Sequence, residues 1–292
     1  MSHVYPVLMA QLKFTHRDQL NYSFEERGIQ FGDGVYEVIR VYEGKCYLLK
    51  EHIDRLFRSA EAIKLDLPFN KEEITDNLLE LLNRNNMEKD GHIYLQVTRG
   101  SAPRTHEFPV EVEPNFYAYV KNAPRHINLL NHGVQTITTK DVRWEYCYIK
   151  SLNLLPNVLA KQEAKEQGRF EAIFHREGIV TEGSSSNIFL VKNSKLYTHP
   201  ATNRILHGCV RSAVIEFARK QNIEVIEEAF EVDAIQNADE MFMTSSSSEV
   251  MPIVKVDETT IGDGKPGKMT KILQEAYEKD ASIFDRNTLV NK

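Results

Sequence analysis

The stretch VYEVIRVYEGKCYLL, residues 35 to 49, alternates apolar and polar side chains, with Gly44 near its middle. A period of two interrupted by glycine predicts a strand, a turn and a second strand, that is, a hairpin. From Lys50 the period changes: His52, Leu56, Ala60 and Ile63 fall at helical spacing, and Pro68 stops the pattern. KEEITDNLLELLNRNNM, from Lys71, reads as a second amphipathic helix, and HIYLQVTRG and NFYAYVKN read as strands. The run VYPVLMA from Val4 reads as an opening strand. Strands and helices come in blocks, which predicts an α+β fold rather than a doubly wound parallel sheet.

Around NAPRHINLLNHG, residues 122 to 133, the pattern weakens and Pro, Asn and Gly accumulate. This places an N-terminal α+β domain at residues 1–122, a linker at 123–133 and a C-terminal domain at 134–292. In the second part VQTITTK reads as a strand, LNLLPNVLAKQEAKEQG as a helix and EAIFHREGIVTEGSSSNIFLVKNSKLYTH as a strand meander. HGCVRSAVIEFARKQN is a further helix, EMFMTSSSSEVMPIVKV a strand interrupted by serines, and GKMTKILQEAYEKDASIF a closing helix.

With 292 residues, 41% of them hydrophobic, the chain has room for two lobes. Lys and Arg number 36 against 42 Asp and Glu, a net charge of −6 without a basic stripe, so no nucleic-acid partner is expected. Cys46, Cys147 and Cys209 lie far apart, which draws neither a disulfide framework nor a CxxC metal site. No metal is expected, and a reducing compartment, the cytoplasm, fits. VYPVLMA has no Lys or Arg before it and is too short to span a bilayer, so neither a signal peptide nor a membrane partner is expected.

RWEYCYIKSLNLLPNVLA, residues 143 to 160, sets Lys150 among apolar and aromatic residues, with no acidic residue nearer than Glu145. Two readings stand. A lysine stripped of water by Tyr146, Tyr148, Ile149 and Leu152 favours the free amine, a nucleophile and imine former. A lysine at a strand end with its head in solvent is the commoner case. TEGSSSNIF presents Glu182, three serines and an asparagine in a turn before a strand, and an ordinary polar loop looks the same. In ILHGCVRSAVIEFA, Gly208 stands where a helix begins, so the first N–H groups suit an anion, as at any loop-to-helix junction. TSSSSE, residues 244 to 249, offers hydroxyls and backbone donors at a strand end, to an anion or to solvent. EHIDRL sets Arg55 in a helix whose other face is apolar, the usual place of a surface charge. An imine-forming amine, a carboxylate for a pyridine nitrogen and a phosphate cradle are the parts that pyridoxal phosphate requires.

From RGIQFGDGVYEV through EHIDRL, IKSLNLL, TEGSSSNIF, ILHGCVR and TSSSSE, these motifs in order strongly resemble the fold-type IV pyridoxal-phosphate enzymes. That family comprises D-amino acid aminotransferases, branched-chain aminotransferases and aminodeoxychorismate lyases, and the resemblance covers nearly the whole chain. It implies a smaller N-terminal α/β domain, a larger C-terminal domain with a β-barrel-like core, and pyridoxal 5′-phosphate as cofactor. It makes Lys150 the Schiff-base lysine and Glu182 the partner of the pyridine nitrogen. Arg55 resembles the phosphate-binding arginine, helped by the backbone amides of Cys209 and Val210 and by the Ser245–Ser246 segment. Leu206 resembles the leucine that packs on the cofactor ring. Where D-amino acid aminotransferases often carry a threonine whose hydroxyl joins the cradle, this chain has Val210, which leaves only the backbone donor.

The loop GSAPRTHEFP, residues 100 to 109, resembles the one whose R-x-H, contributed by the neighbouring subunit, binds the substrate α-carboxylate together with the tyrosine of GVYEV. The matching positions are Arg104, His106 and Tyr36. An arginine meets a carboxylate with two parallel hydrogen bonds, which fixes orientation as well as charge. The resemblance therefore implies a homodimer that moves an amino group from a D-amino acid such as D-alanine to a 2-oxo acid such as 2-oxoglutarate, giving pyruvate and D-glutamate. Alternatives on the same fold are an L-branched-chain-amino-acid aminotransferase and an aminodeoxychorismate lyase. A non-catalytic protein keeping the fold is the alternative of another class, and Lys150, Glu182 and Arg55 together speak against it.

Overall fold

The computed structural model describes residues 4–283. The elements are α+β, and the chain divides into two compact units. One runs through Pro124 and takes in Ile149–Asn153; the other comprises Arg125–Tyr148 and the chain from Leu154 onward.

In the first unit, β1 (Val7–Ala10), β2 (Lys13–His16), β3 (Gly34–Tyr42), β4 (Lys45–Tyr47), β5 (Gly91–Thr98) and β6 (Asn115–Asn122) form one sheet in the order β2-β1-β6-β5-β3-β4. Every pairing in it is antiparallel. The hairpin at residues 35–49 is present, and Gly44 turns it with φ +77°, a conformation that side chains resist. Helices α1 (Arg27–Phe31), α2 (Leu49–Ala62) and α3 (Lys71–Arg84) complete the unit. Val35, Ile39, Leu95, Val97 and Phe116 are fully buried on the face against which α2 and α3 pack. Each such side chain contributes about 1.5–3 kcal/mol on burial. The alternate positions, Tyr36, Tyr94, Tyr117 and Tyr119, are half-buried and line the other face. Helix α2 ends earlier than Pro68 suggests. Lys64 takes φ +53°, and the Arg99 guanidinium donates to the carbonyls of Lys64 and Ile63, each at 2.8 Å, satisfying the helix end.

The second unit begins with α4 (Ile127–His132), β7 (Val134–Lys140) and α5 (Leu155–Glu166), then β8 (Glu171–Arg176), β9 (Ile179–Gly183), β10 (Asn187–Lys192) and β11 (Lys195–Thr198). It continues with α6 (Cys209–Lys220), β12 (Glu224–Ile226), β13 (Glu240–Ser245), β14 (Glu249–Val256), β15 (Thr259–Thr260) and α7 (Lys268–Asp280). The strand order is β12-β11-β10-β13-β14-β7-β8-β9, with β15 on β14, and the β7 pairings are parallel. Strand β9, at one end of that order, also packs against β10, so the sheet curls into a barrel-like core. Ile173, Val180, Ile188, Leu190, Met241, Met251 and Ile253 share one apolar cluster there.

Two local features differ from the reading of the sequence. Helix α4 occupies most of the stretch read as linker, with Leu130 buried in the core cluster and Gly133 closing the helix. Ile149–Asn153 joins the first unit because Lys150 O accepts from Tyr36 N at 3.0 Å and Leu152 N donates to Gly34 O at 3.0 Å. Phe284, the end of the stretch read as closing helix, lies outside the described residues. Among the described residues no helix is long and apolar enough to cross a membrane.

Candidate active site

Candidate residues fall in both units. In the first, the IKSLN segment docks on the start of β3 through those two backbone bonds and the Val35↔Ser151 bridge. Lys150 N donates to Ser59 Oγ of α2 at 3.1 Å, so strand and helix together fix the lysine's backbone. Its Nζ stands 4.4 Å from the centroid of the Tyr36 ring. Tyr36 is in turn stacked on Tyr94, centroids 5.8 Å apart. Of the apolar neighbours read from the sequence, Ile149 is buried and Tyr146 is exposed.

Arg55 is not the surface charge that its helical position suggests: it is 5% exposed. Its Nε donates to Glu37 Oε1 at 2.7 Å and its Nη2 to Oε2 at 2.8 Å, while His52 Nδ1 lies 2.7 Å from the same Oε2. Burial by itself pushes the Glu37 carboxyl up. The Arg55 guanidinium and its hydrogen bonds, with His52, outweigh this and hold the carboxyl far below the usual carboxylate range. In the sequence His52 stands out only as a position of the helical period, and Glu37 carries no motif of its own. The available signal was an acid on the inward face of β3, between Val35 and Ile39, at a position where only apolar residues belong.

Arg104 and His106 lie on an exposed loop and share one ring: the Arg104 guanidinium stands 4.9 Å over Phe31, and His106 meets Phe31 edge-on at 5.7 Å.

In the second unit, Glu182 at the end of β9 is 4% exposed. Its carboxylate accepts from Leu206 N at 3.0 Å, from Asn187 Nδ2 at 3.0 Å and from Arg143 Nη1 at 2.5 Å. Burial pushes Glu182 up, and Arg143 and the Leu206 N–H work against it. Arg143 is itself held by Asp141, with Nε to Oδ1 at 2.9 Å and Nη2 to Oδ2 at 2.8 Å. Asp141 also accepts from Thr181 Oγ1 at 2.9 Å. Arg143 and Asp141 belong to none of the recognised motifs, although DVRWEY carries an acid and an arginine two apart just before the lysine motif.

Asn187, at the start of β10, joins the anion-receptive parts. Its Nδ2 donates to Leu206 O at 2.9 Å as well as to Glu182. A Cβ on Gly208 would come within 2.1 Å of Asn187 Oδ1, so only glycine lets the start of α6 approach so closely. Gly208 is the N-cap of this 12-residue helix and carries no capping side chain, while Cys209 and Val210, both buried, form its first turn. Across the sheet Asn187 pairs with Thr244, the residue before Ser245. The helix start and the serine turn are therefore neighbours at one end of the curled sheet. In that turn Ser245 Oγ accepts from Ser248 N at 3.0 Å and lies 3.2 Å from Ser247 Oγ.

The three serines after Glu182 serve another acid. Ser184, Ser185 and Ser186 all donate their hydroxyls to Glu171, which is 1% exposed. Glu182, a buried carboxylate held by Leu206 N–H, Asn187 and Arg143, beside a glycine-started helix and a serine turn, matches a ligand that has a protonated ring nitrogen and a phosphate.

The amino-transferase class IV model matches residues 34–256. A D-alanine aminotransferase of Staphylococcus haemolyticus is 46% identical over 268 residues, covering 91% of this chain and 95% of the relative. One from Bacillus licheniformis is 45% identical over 266 residues, 91% and 94% of the two chains. Among solved structures, the branched-chain aminotransferase of the thermophilic archaeon Thermoproteus uzoniensis, solved with norvaline, superposes with TM-score 0.87 at 25% identity, over 97% of each chain. The Escherichia coli branched-chain enzyme gives TM-score 0.89 at 23% identity, over 94% of each chain, and shows the shared fold. With its model match spanning most of the sequence and these relatives matched nearly end to end, the chain belongs to the amino-transferase class IV family.

Proposed function

We propose that the chain is a pyridoxal-phosphate-dependent D-amino-acid transaminase that moves the amino group of D-alanine to 2-oxoglutarate, giving pyruvate and D-glutamate. The observation that carries this reading is Lys150, held by β3 and α2 with its amine over the Tyr36 ring. Identity of 46% to D-alanine aminotransferases, over 91% of the chain, supports the D-amino acid branch.

Lys150 Nζ would hold the cofactor covalently, and its free amine would take the proton from the substrate Cα. When bound, the cofactor supplies an electron sink for the charge left on that carbon. Glu182 holds the ring-nitrogen proton, and Leu206 N–H, Asn187 and Arg143 hold Glu182. Leu206 would pack against the cofactor ring. Arg55, aimed by Glu37, receives the phosphate together with the backbone of Cys209 and Val210 and with Ser245 and Ser246. Tyr36, Arg104 and His106 clamp the substrate α-carboxylate, which decides the face of Cα that Lys150 meets. Arg104 and His106 reach this position from the partner of a homodimer. Exposed Phe24 and Ile29 on the first unit, and Leu155, Val158 and Leu159 on the second, support such an assembly. The cytoplasm is the proposed location.

The test is the visible absorbance of the lysine-bound cofactor in the purified protein, before and after D-alanine and, separately, L-leucine. Bleaching by the D-donor alone, with pyruvate released, is expected. Bleaching by L-leucine alone would overturn this branch in favour of a branched-chain enzyme, and absence of the band would reopen the cofactor.

A further inference from the structure

Glu249 lies where the serine turn becomes β14, and its backbone is in the left-handed region at φ +57°. Residues other than glycine, asparagine and aspartate are uncommon there, so the conformation depends on what holds the side chain. The Glu249 carboxylate is buried and gripped by Arg125, with Nε donating to Oε1 at 2.8 Å and Nη2 to Oε2 at 2.6 Å. The same Nη2 donates to Glu278 Oε1 on α7 at 2.5 Å. One helical turn earlier on α7, Gln274 Nε2 donates to the carbonyl of Val250, the residue after Glu249, at 3.0 Å. The first two residues of β14 are therefore tied to a closing helix, one through a guanidinium and one directly. Across the turn Glu249 pairs in register with Ser245.

We propose that Arg125, acting through Glu249, is a positioning residue for the serine turn and sets how strongly the chain holds the phosphate of its cofactor. The inference rests on the reading of Ser245 and Ser246 as phosphate donors. The role is indirect. A planar guanidinium that meets both carboxylate oxygens fixes the rotation of Glu249 as well as its place, which an ammonium does not do. The backbone of Glu249 then fixes where the turn's N–H groups and hydroxyls point.

The experiment titrates the full chain, freed of cofactor, with pyridoxal 5′-phosphate and separately with pyridoxal, which has the ring and aldehyde but lacks the phosphate. Arg125→Met and Glu249→Gln are expected to lower the preference for the phosphorylated form about tenfold, the worth of one charge-assisted hydrogen bond, and Arg125→Lys less. Affinity for pyridoxal stays unchanged. Parallel weakening of both ligands, or a lower unfolding temperature with the preference intact, would mean that Arg125 is structural only and would overturn the inference. Should Arg125→Met fail to fold, Glu249→Gly removes the carboxylate while accepting the positive φ: a reduced preference supports the inference and an unchanged one overturns it. If the unsubstituted chain shows no preference for the phosphorylated form, the phosphate reading of the serines fails instead, so the two failures are distinguishable.

Discussion

At the scale of single residues the candidate site is marked by buried charges that hold one another in pairs. Glu182 and Arg143 form one such pair. Removing the cation from a buried pair leaves an uncompensated charge, so Arg143→Met is expected to cost about 3–5 kcal/mol of stability. Adding Glu182→Gln should recover part of that loss, and strictly additive effects in a denaturant-unfolding cycle would show that the two do not act as a pair. Glu182→Gln alone keeps the Leu206 N–H donor, so cofactor is expected to stay bound while turnover falls roughly 10²-fold. Near-normal turnover would sink its assignment to the ring nitrogen. Glu37 makes a pH prediction. Its carboxyl is held low in the folded chain, so its contribution to stability is present above the ordinary carboxylate range and is lost as pH falls. The stability gap between the unsubstituted chain and Glu37→Gln should therefore shrink between pH 7 and about 3, below the unfolded carboxylate pKa of about 4.3. A constant gap would show that the Glu37 carboxyl is not held below the ordinary carboxylate range in the folded chain.

At the scale of elements, the anion-receptive parts meet because strand order brings them together. The pairing of β10 with β13 sets Asn187 opposite Thr244, and the missing Cβ of Gly208 lets α6 start against Asn187. The Asn187 amide is pinned by Glu182 and Leu206, so it has little room to yield. Gly208→Ala is expected to push the start of α6 aside and weaken cofactor binding by about tenfold or more. Helix content by circular dichroism should be unchanged. Unaltered cofactor binding in that variant would remove the α6 start from the cradle.

At the scale of the whole molecule, the prediction concerns sharing of sites between subunits. Lys150→Ala and Arg104→Ala are each expected to be nearly inactive. If Arg104 serves the partner's lysine, mixing and reassociating the two variants in equal amounts makes half of the dimers mixed, each with one intact site of two. Activity should then return to roughly a quarter of the unsubstituted level. No recovery, with mixed dimers demonstrated by mass, would place Arg104 and Lys150 in the same chain's site.

Local features are legible in contiguous residues: the hairpin around Gly44, the helical period of α2, and the ordered motifs that give the family and nominate Lys150 and Glu182. Periodicity and turn chemistry belong to contiguous residues, so they survive as pattern. Which charges are buried together follows from how distant segments pack. Glu37 meets Arg55 across 18 positions, Arg143 meets Glu182 across 39, and Arg125 meets Glu249 across 124 and Glu278 across 153. The same packing decides that the serines of TEGSSSN hold Glu171 and that IKSLN joins the first unit. A charge in sequence looks the same whether it faces water or a partner. What separates the two is desolvation, which exists only once the strands are stacked and the helices laid on them.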